Sequence, residues 1–170
     1  MSEWIGPLIS AVAVIASVVV GAWLSRSSAR QQAQAAREEK AEDRLWQFRK
    51  DAYTAILAKL AEAAREQERI ATGYHESEHP DAYDASKDRR ERDAVVWSAW
   101  SACREQFERN RLVISPEFTE AFKAIRKELA AIDEDQLPPV LADQIEEAFS
   151  GGHRRLLSVA LAEIRPSEQR

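Results

Sequence analysis

Chain breakers, cysteine and N-terminal positive charge are all scarce here, and each scarcity excludes something. The 170 residues include 5 glycines, 6 prolines and one cysteine. A lone Cys103 cannot form an internal disulfide, so this is not a disulfide-stapled scaffold. No glycine or proline occurs between Ala22 and Thr72, so nothing local interrupts a helix there. Strand-like alternation of apolar and polar residues is missing throughout, which argues against a sheet. None of the 24 lysines and arginines precedes Arg26. A cleaved secretory signal needs a positive start, and Met1-Ser2-Glu3 has none. The one good small-x-small site, Ala33-Gln34-Ala35, lies past the apolar stretch and past Arg26 and Arg30. The net charge of -5 denies the chain the basic footprint of a general nucleic-acid binder.

What the chain does have is one uncharged apolar run, Ile5–Leu24, with Trp4 and Trp23 at its two ends. At ~1.5 Å per helical residue the two indoles would stand about 28 Å apart. That matches the ~30 Å hydrocarbon core of a bilayer. Tryptophan favours the membrane–water interface, so residues 1–25 read as a single membrane anchor held by Trp4, Trp23, Arg26 and Arg30. Five basic residues (Arg26, Arg30, Arg37, Lys40, Arg44) follow within 20 positions of the run. The positive-inside bias then puts the N-terminus outside and the body in the cytoplasm, at a cell inner membrane. Gly6, Ser10, Ala13, Ser17 and Gly21 recur at helical spacing and form a small-residue face suited to helix–helix contact. This face makes a homo-oligomer the expected state.

Residues 26–44 are almost all Ala, Gln, Glu, Arg and Lys, which favours a helical stalk without a packing face. From residue 45 a broad apolar stripe begins. Trp46, Tyr53 and Leu60 recur every seven residues, as do Ile56, Ala63 and Ile70, widened by Leu45, Phe48 and Ala52. Gly73 is the expected left-handed C-cap of this helix. A second helix is best marked from Asp93 to Asn110, with Val96, Trp100, Cys103 and Phe107 inward and a start that could reach back to Asp81. Cys103 is then a small core residue. Trp97 lies off that stripe, at a position open to a partner. Ser115-Pro116-Glu117 is a helix start of N-cap, first-turn proline and acid. Phe118, Phe122, Ile125, Leu129 and Ile132 share one face after it, until Leu137-Pro138-Pro139. A last helix carries Leu141, Ile145, Phe149, Leu156, Val159, Ala160 and Ile164, and Gly151-Gly152 is expected to kink or split it. The expected fold is all-α: a transmembrane helix continuing into a stalk, then an antiparallel up-and-down bundle of about four helices over residues 45–165, with a 166–170 tail.

Constellations able to carry chemistry are few. His75-Glu76-Ser77-Glu78-His79 matches the inverted zinc-peptidase pattern in letters. That chemistry needs both histidines on one helical face and a further ligand, and Gly73 and Pro80 favour a solvated turn instead. His75, Glu78 and His79 are therefore only weak metal candidates. Gly151-Gly152-His153 lacks the spacing, strand and lysine of a phosphate loop. Lys87–Arg92 mixes both signs, as a solvated helix face does. Carboxylate pairs such as Glu146-Glu147 have no placed partner to tune them. No catalytic set, metal or cofactor is expected.

The stretch Arg49-Lys50-Asp51-Ala52-Tyr53-Thr54-Ala55-Ile56-Leu57-Ala58, placed after an N-terminal span and charged stalk, resembles the opening of the cytoplasmic bundle in a group of small bacterial single-pass membrane proteins. The step Ile114-Ser115-Pro116 is similar to that group as well. Ile56 departs from the group's pattern, where an aromatic is common. The resemblance implies no established activity and no catalytic residues. The reading at this stage is a membrane-tethered interaction or scaffold protein that self-associates in the lipid bilayer and can engage another protein, with no nucleic-acid partner. The rival is a membrane-active, phage-related lysis or defence effector working by oligomerisation.

Overall fold

The computed structural model describes the backbone from Ile5 to Ile164, and side chains at Gln34, Arg37 and from Lys40 to Ile164. The chain divides into two compact units, Met1–Leu45 and Trp46–Arg170. Trp4, Gly6, Ser10, Ala13, Ser17, Gly21, Trp23, Arg26 and Arg30 fall outside the residues whose side chains are described. Among the described residues, no helix is long and apolar enough to cross a membrane.

The described chain is all-helical and has no strand. Its elements are α1 (Ile5–Glu76), α2 (Pro80–Asp84), α3 (Lys87–Arg109), α4 (Pro116–Ala130) and α5 (Pro138–Ile164). Within the second unit, cross-contacts fix the directions of α3 and α5. The Cys103 thiol donates to the Ile56 carbonyl and Arg92 pairs with Glu66, so α3 runs antiparallel to α1. Tyr53 meets Glu163 and Gln67 meets Ala142, so α5 also runs antiparallel to α1. These helices form a bundle with an aromatic interior. Trp100 stacks on Phe122 and meets Phe149 edge-on, Phe107 stacks on Phe122, and Tyr53 stacks on Phe118. Such pairs add roughly 0.5–1.5 kcal/mol each to the apolar area they bury.

Helix starts follow local chemistry. Ser86 and Ser115 cap α3 and α4, their hydroxyls accepting from the backbone N–H of Arg89 and Phe118 at 3.1 and 3.0 Å. Pro116 and Pro138 open α4 and α5, where a missing N–H costs nothing.

Several expectations are corrected. α1 runs past Gly73 to Glu76, and no glycine among the described residues has positive φ. Gly73 lies inside the helix, and the Tyr83 ring occupies the space a Cβ would need there. The second helix does not extend back to Asp81, because the chain turns at Ala85-Ser86 and leaves α2 as a separate turn of helix. Gly151 and Gly152 do not split α5. A Cβ on Gly152 would come within 2.6 Å of Ile125 Cγ1, so this glycine lets α4 and α5 approach closely. Leu45, Trp46 and Phe48 are exposed rather than core, since the apolar period of α1 begins before any neighbouring helix covers it.

The two glycines of α5 should therefore respond oppositely to alanine. Gly152→Ala should destabilise by about 1–3 kcal/mol through overpacking against Ile125. Gly151→Ala, whose Cβ meets nothing nearer than Arg155 Nη1 at 3.9 Å, should stabilise by roughly 0.5–1 kcal/mol. Urea unfolding of the detergent-solubilised chain measures both, and equal losses would contradict this packing.

Candidate functional site: a polar junction at the base of the bundle

The end of the bundle where α1 leaves residue 45 carries the densest long-range polar contacts among the described residues. Tyr53 is fully buried on α1, with its ring stacked on Phe118 at 4.2 Å. Its hydroxyl donates to Glu163 Oε2 at 2.6 Å and accepts from the Ser115 backbone N–H at 3.2 Å. Ser115 Oγ donates to the other Glu163 oxygen at 2.5 Å while capping α4. Arg49, one turn before Tyr53, donates through Nε to the Val113 carbonyl at 3.0 Å, and its Nη1 lies 3.9 Å from Glu163. One carboxylate thus joins α1, the α3–α4 connection and the end of α5. Burial and then the Glu163 bond raise the Tyr53 pKa. A neutral phenol is the form that can donate here.

Large apolar side chains stand exposed at the same end. Leu112 is 100% exposed on the α3–α4 connection, and Phe48, Trp46 and Leu161 are 61%, 41% and 48% exposed. Lys50 Nζ lies 5.2 Å above the Trp46 ring, a cation–π contact worth about 0.5–1 kcal/mol at an exposed site. The charges around this end are of both signs and paired at short range, as in Arg109–Glu105 and Arg111–Glu108.

The opposite end is tied differently. Tyr74 donates to Asp84, and its ring meets Tyr83 edge-on at 4.9 Å. Burial, then that bond, pushes the Tyr74 pKa up to about 12. Arg89 sits between Asp84 and Asp93 at 3.6 and 3.8 Å. His75 turns to Asp143 at 2.9 Å instead of joining Glu78 and His79, and His79 is the N-cap of α2. Among the described residues, no three His, Cys, Asp or Glu side chains come together as a metal-holding group. Burial lowers the His153 pKa, and burial pushes the Cys103 thiol up to about 12, which suits an inert core thiol. Trp97 is 42% exposed, with its indole N–H donating to Asp93 at 3.2 Å.

Arg49 and Tyr53 share one of the short motifs of the sequence and Ser115 belongs to another, 62 residues from Tyr53. Glu163 belongs to neither, nor does Gln67, which is 3% exposed and donates to the Ala142 carbonyl at 2.9 Å. Comparison with protein-family models, with curated proteins and with solved structures finds no match.

Two outcomes follow from this geometry. Tyr53→Phe strands the Ser115 N–H and one Glu163 oxygen, and should cost about 1–3 kcal/mol. In a double-mutant cycle with Glu163→Gln the two losses should couple by at least about 0.5 kcal/mol, and strict additivity in urea unfolding would contradict the junction. The second outcome concerns alkali. All three tyrosines of the chain, Tyr53, Tyr74 and Tyr83, have pKa values raised above 10.0. A raised pKa in the folded state gives stability that is complete below the unfolded value and lost as pH rises through the folded one. Tyrosinate absorbance at pH 10 should therefore stay under half of its unfolded amplitude, and stability should fall between pH 10 and about 12. Half or more of that amplitude from folded protein at pH 10 would refute these environments.

Proposed function

We propose that the protein is a membrane-tethered helical interaction protein of a bacterial inner membrane. In this reading the N-terminus is outside, one span occupies residues 5–24, and the cytoplasmic bundle works by binding. The observation that carries the reading is the uncharged Ile5–Leu24 run bracketed by Trp4 and Trp23, joined through a charged segment to a bundle. The layout and the Arg49–Ala58 and Ile114–Pro116 motifs, which resemble small single-pass bacterial membrane proteins, support it.

The action is tethering and positioning. A span confines the bundle to a surface and raises its effective concentration toward others in the same membrane. Gly6, Ser10, Ala13, Ser17 and Gly21 give the span a face for close helix pairing. Copies anchored by equal lengths of chain hold identical surfaces at equal heights, which favours a symmetric contact between them. The exposed Trp46, Phe48, Leu112 and Leu161 supply apolar area for that contact, and the charges of both signs around them suit a self-complementary surface. Among the described residues the charges at this end are of both signs, which disfavours an anionic lipid headgroup or nucleic acid as its target.

Cell fractionation tests the tether. The protein should sediment with membranes and resist alkaline carbonate, and a protease should digest residues 46–170 only after inside-closed vesicles are opened. Release by carbonate would overturn the anchor, and digestion of the bundle in intact cells would overturn the orientation.

A further inference from the structure

Gly151 and Gly152 stand side by side in the interior of α5, and only one has a packing reason to be glycine. Gly152 lies under Ile125, while Gly151 faces open space out to Arg155 Nη1. Glycine costs about 1 kcal/mol against alanine inside a helix. Gly151 therefore weakens α5 at this point and gains no contact in return.

The two halves of α5 are held in different ways. Before the pair, Ala142, Ala148 and Phe149 are buried, Phe149 meets Trp97 and Trp100, and Gln67 clamps the Ala142 carbonyl. After it, only Leu156 and Ala160 are fully buried among His153–Ile164, and Leu157 and Leu161 face solvent. Val159 and Ile164 pack half-buried against the core beside them, and the other holds on this half are polar: an exposed Arg155–Glu128 pair and, at the far end, Glu163 with Tyr53, Ser115 and Arg49. The Glu163 side chain is 19% exposed, so water can reach it.

We propose that His153–Ile164 is a hinged arm, with Gly151 as its pivot, Gly152 under Ile125 as its fixed point and the Glu163 carboxylate as its catch. A polar catch suits reversible release, because water replaces each lost hydrogen bond and the net cost of each is modest. Segments with few buried apolar contacts open locally without global unfolding. Opening withdraws the buried Leu156 and Ala160 and the half-buried Val159 and Ile164 from the core, and bares the Tyr53–Phe118 stack with Ser115 beside it. The bundle then has two states that differ at the base, one with this apolar trough filled by its own arm and one with it open. The arm does not depend on the membrane reading.

Hydrogen exchange with mass spectrometry on the full chain in detergent micelles distinguishes an arm from ordinary fraying. An arm gives a step in protection at Gly151-Gly152, with Leu156 and Ala160 amides exchanging together and faster than Ala142–Phe149. Fraying gives a graded decline confined to the last turn. Glu163→Gln should speed exchange across 153–164 by about tenfold, the scale of losing one or two part-buried hydrogen bonds, and leave 142–149 unchanged. Gly151→Ala should slow the same segment. The proposal is overturned by a graded profile, by equal acceleration of both halves in Glu163→Gln, or by indifference of 153–164 to Gly151→Ala.

Discussion

The bundle's base depends on one phenol. Tyr53 is buried without solvent contact, yet its hydroxyl has both its donor and acceptor roles filled, by Glu163 and by the Ser115 N–H. A hydroxyl shut away from water without partners costs several kcal/mol, so in the closed bundle the position depends on α5 and the α3–α4 connection together. That requirement couples elements 62 and 110 residues away in sequence. Phe118 stacks on the same ring, so the start of α4 is set by the phenol as well as by its own serine cap. Arg49 adds a second tie to the α3–α4 connection through the Val113 carbonyl.

Much of the fold was legible because helix chemistry is local. Ser115-Pro116 announces its helix, and the period of Phe118, Phe122 and Ile125 shows which face is inward. Val96, Trp100, Cys103 and Phe107 do the same for α3, and all four are buried. What escaped reading depends on distant partners. Glu163 looks like any solvated glutamate near a chain end until Tyr53 and Ser115 stand against it. Gln67 sits among charged neighbours, and only the Ala142 carbonyl explains its burial. Gly73 and Gly152 look like helix breakers in one dimension; the rings and branches that need their missing Cβ, Tyr83 and Ile125, come from other helices. The converse error lies at Trp46 and Phe48, where the apolar period outlasts the helices available to cover it.

The two ends of the bundle differ in kind, and the difference bears on what it can do. At the far end, Tyr74, Tyr83, Asp84 and Arg89 close the α1–α3 connection over the short helix α2. At the base, apolar side chains are left uncovered around a polar junction that water can reach. The interior is aromatic, and its tyrosines serve as ties between helices. The proposed binding at the base takes as its occupant a second copy, which a shared tether would bring nearest.

A photo-crosslinking residue placed at Leu112 in the full chain, in native membranes, tests this most directly, with Lys123 on α4 as the control position. The account predicts an adduct between two copies from position 112, and far less from position 123. Adducts from 112 only to lipid or to no protein at all, or equal yields from both positions, would contradict it.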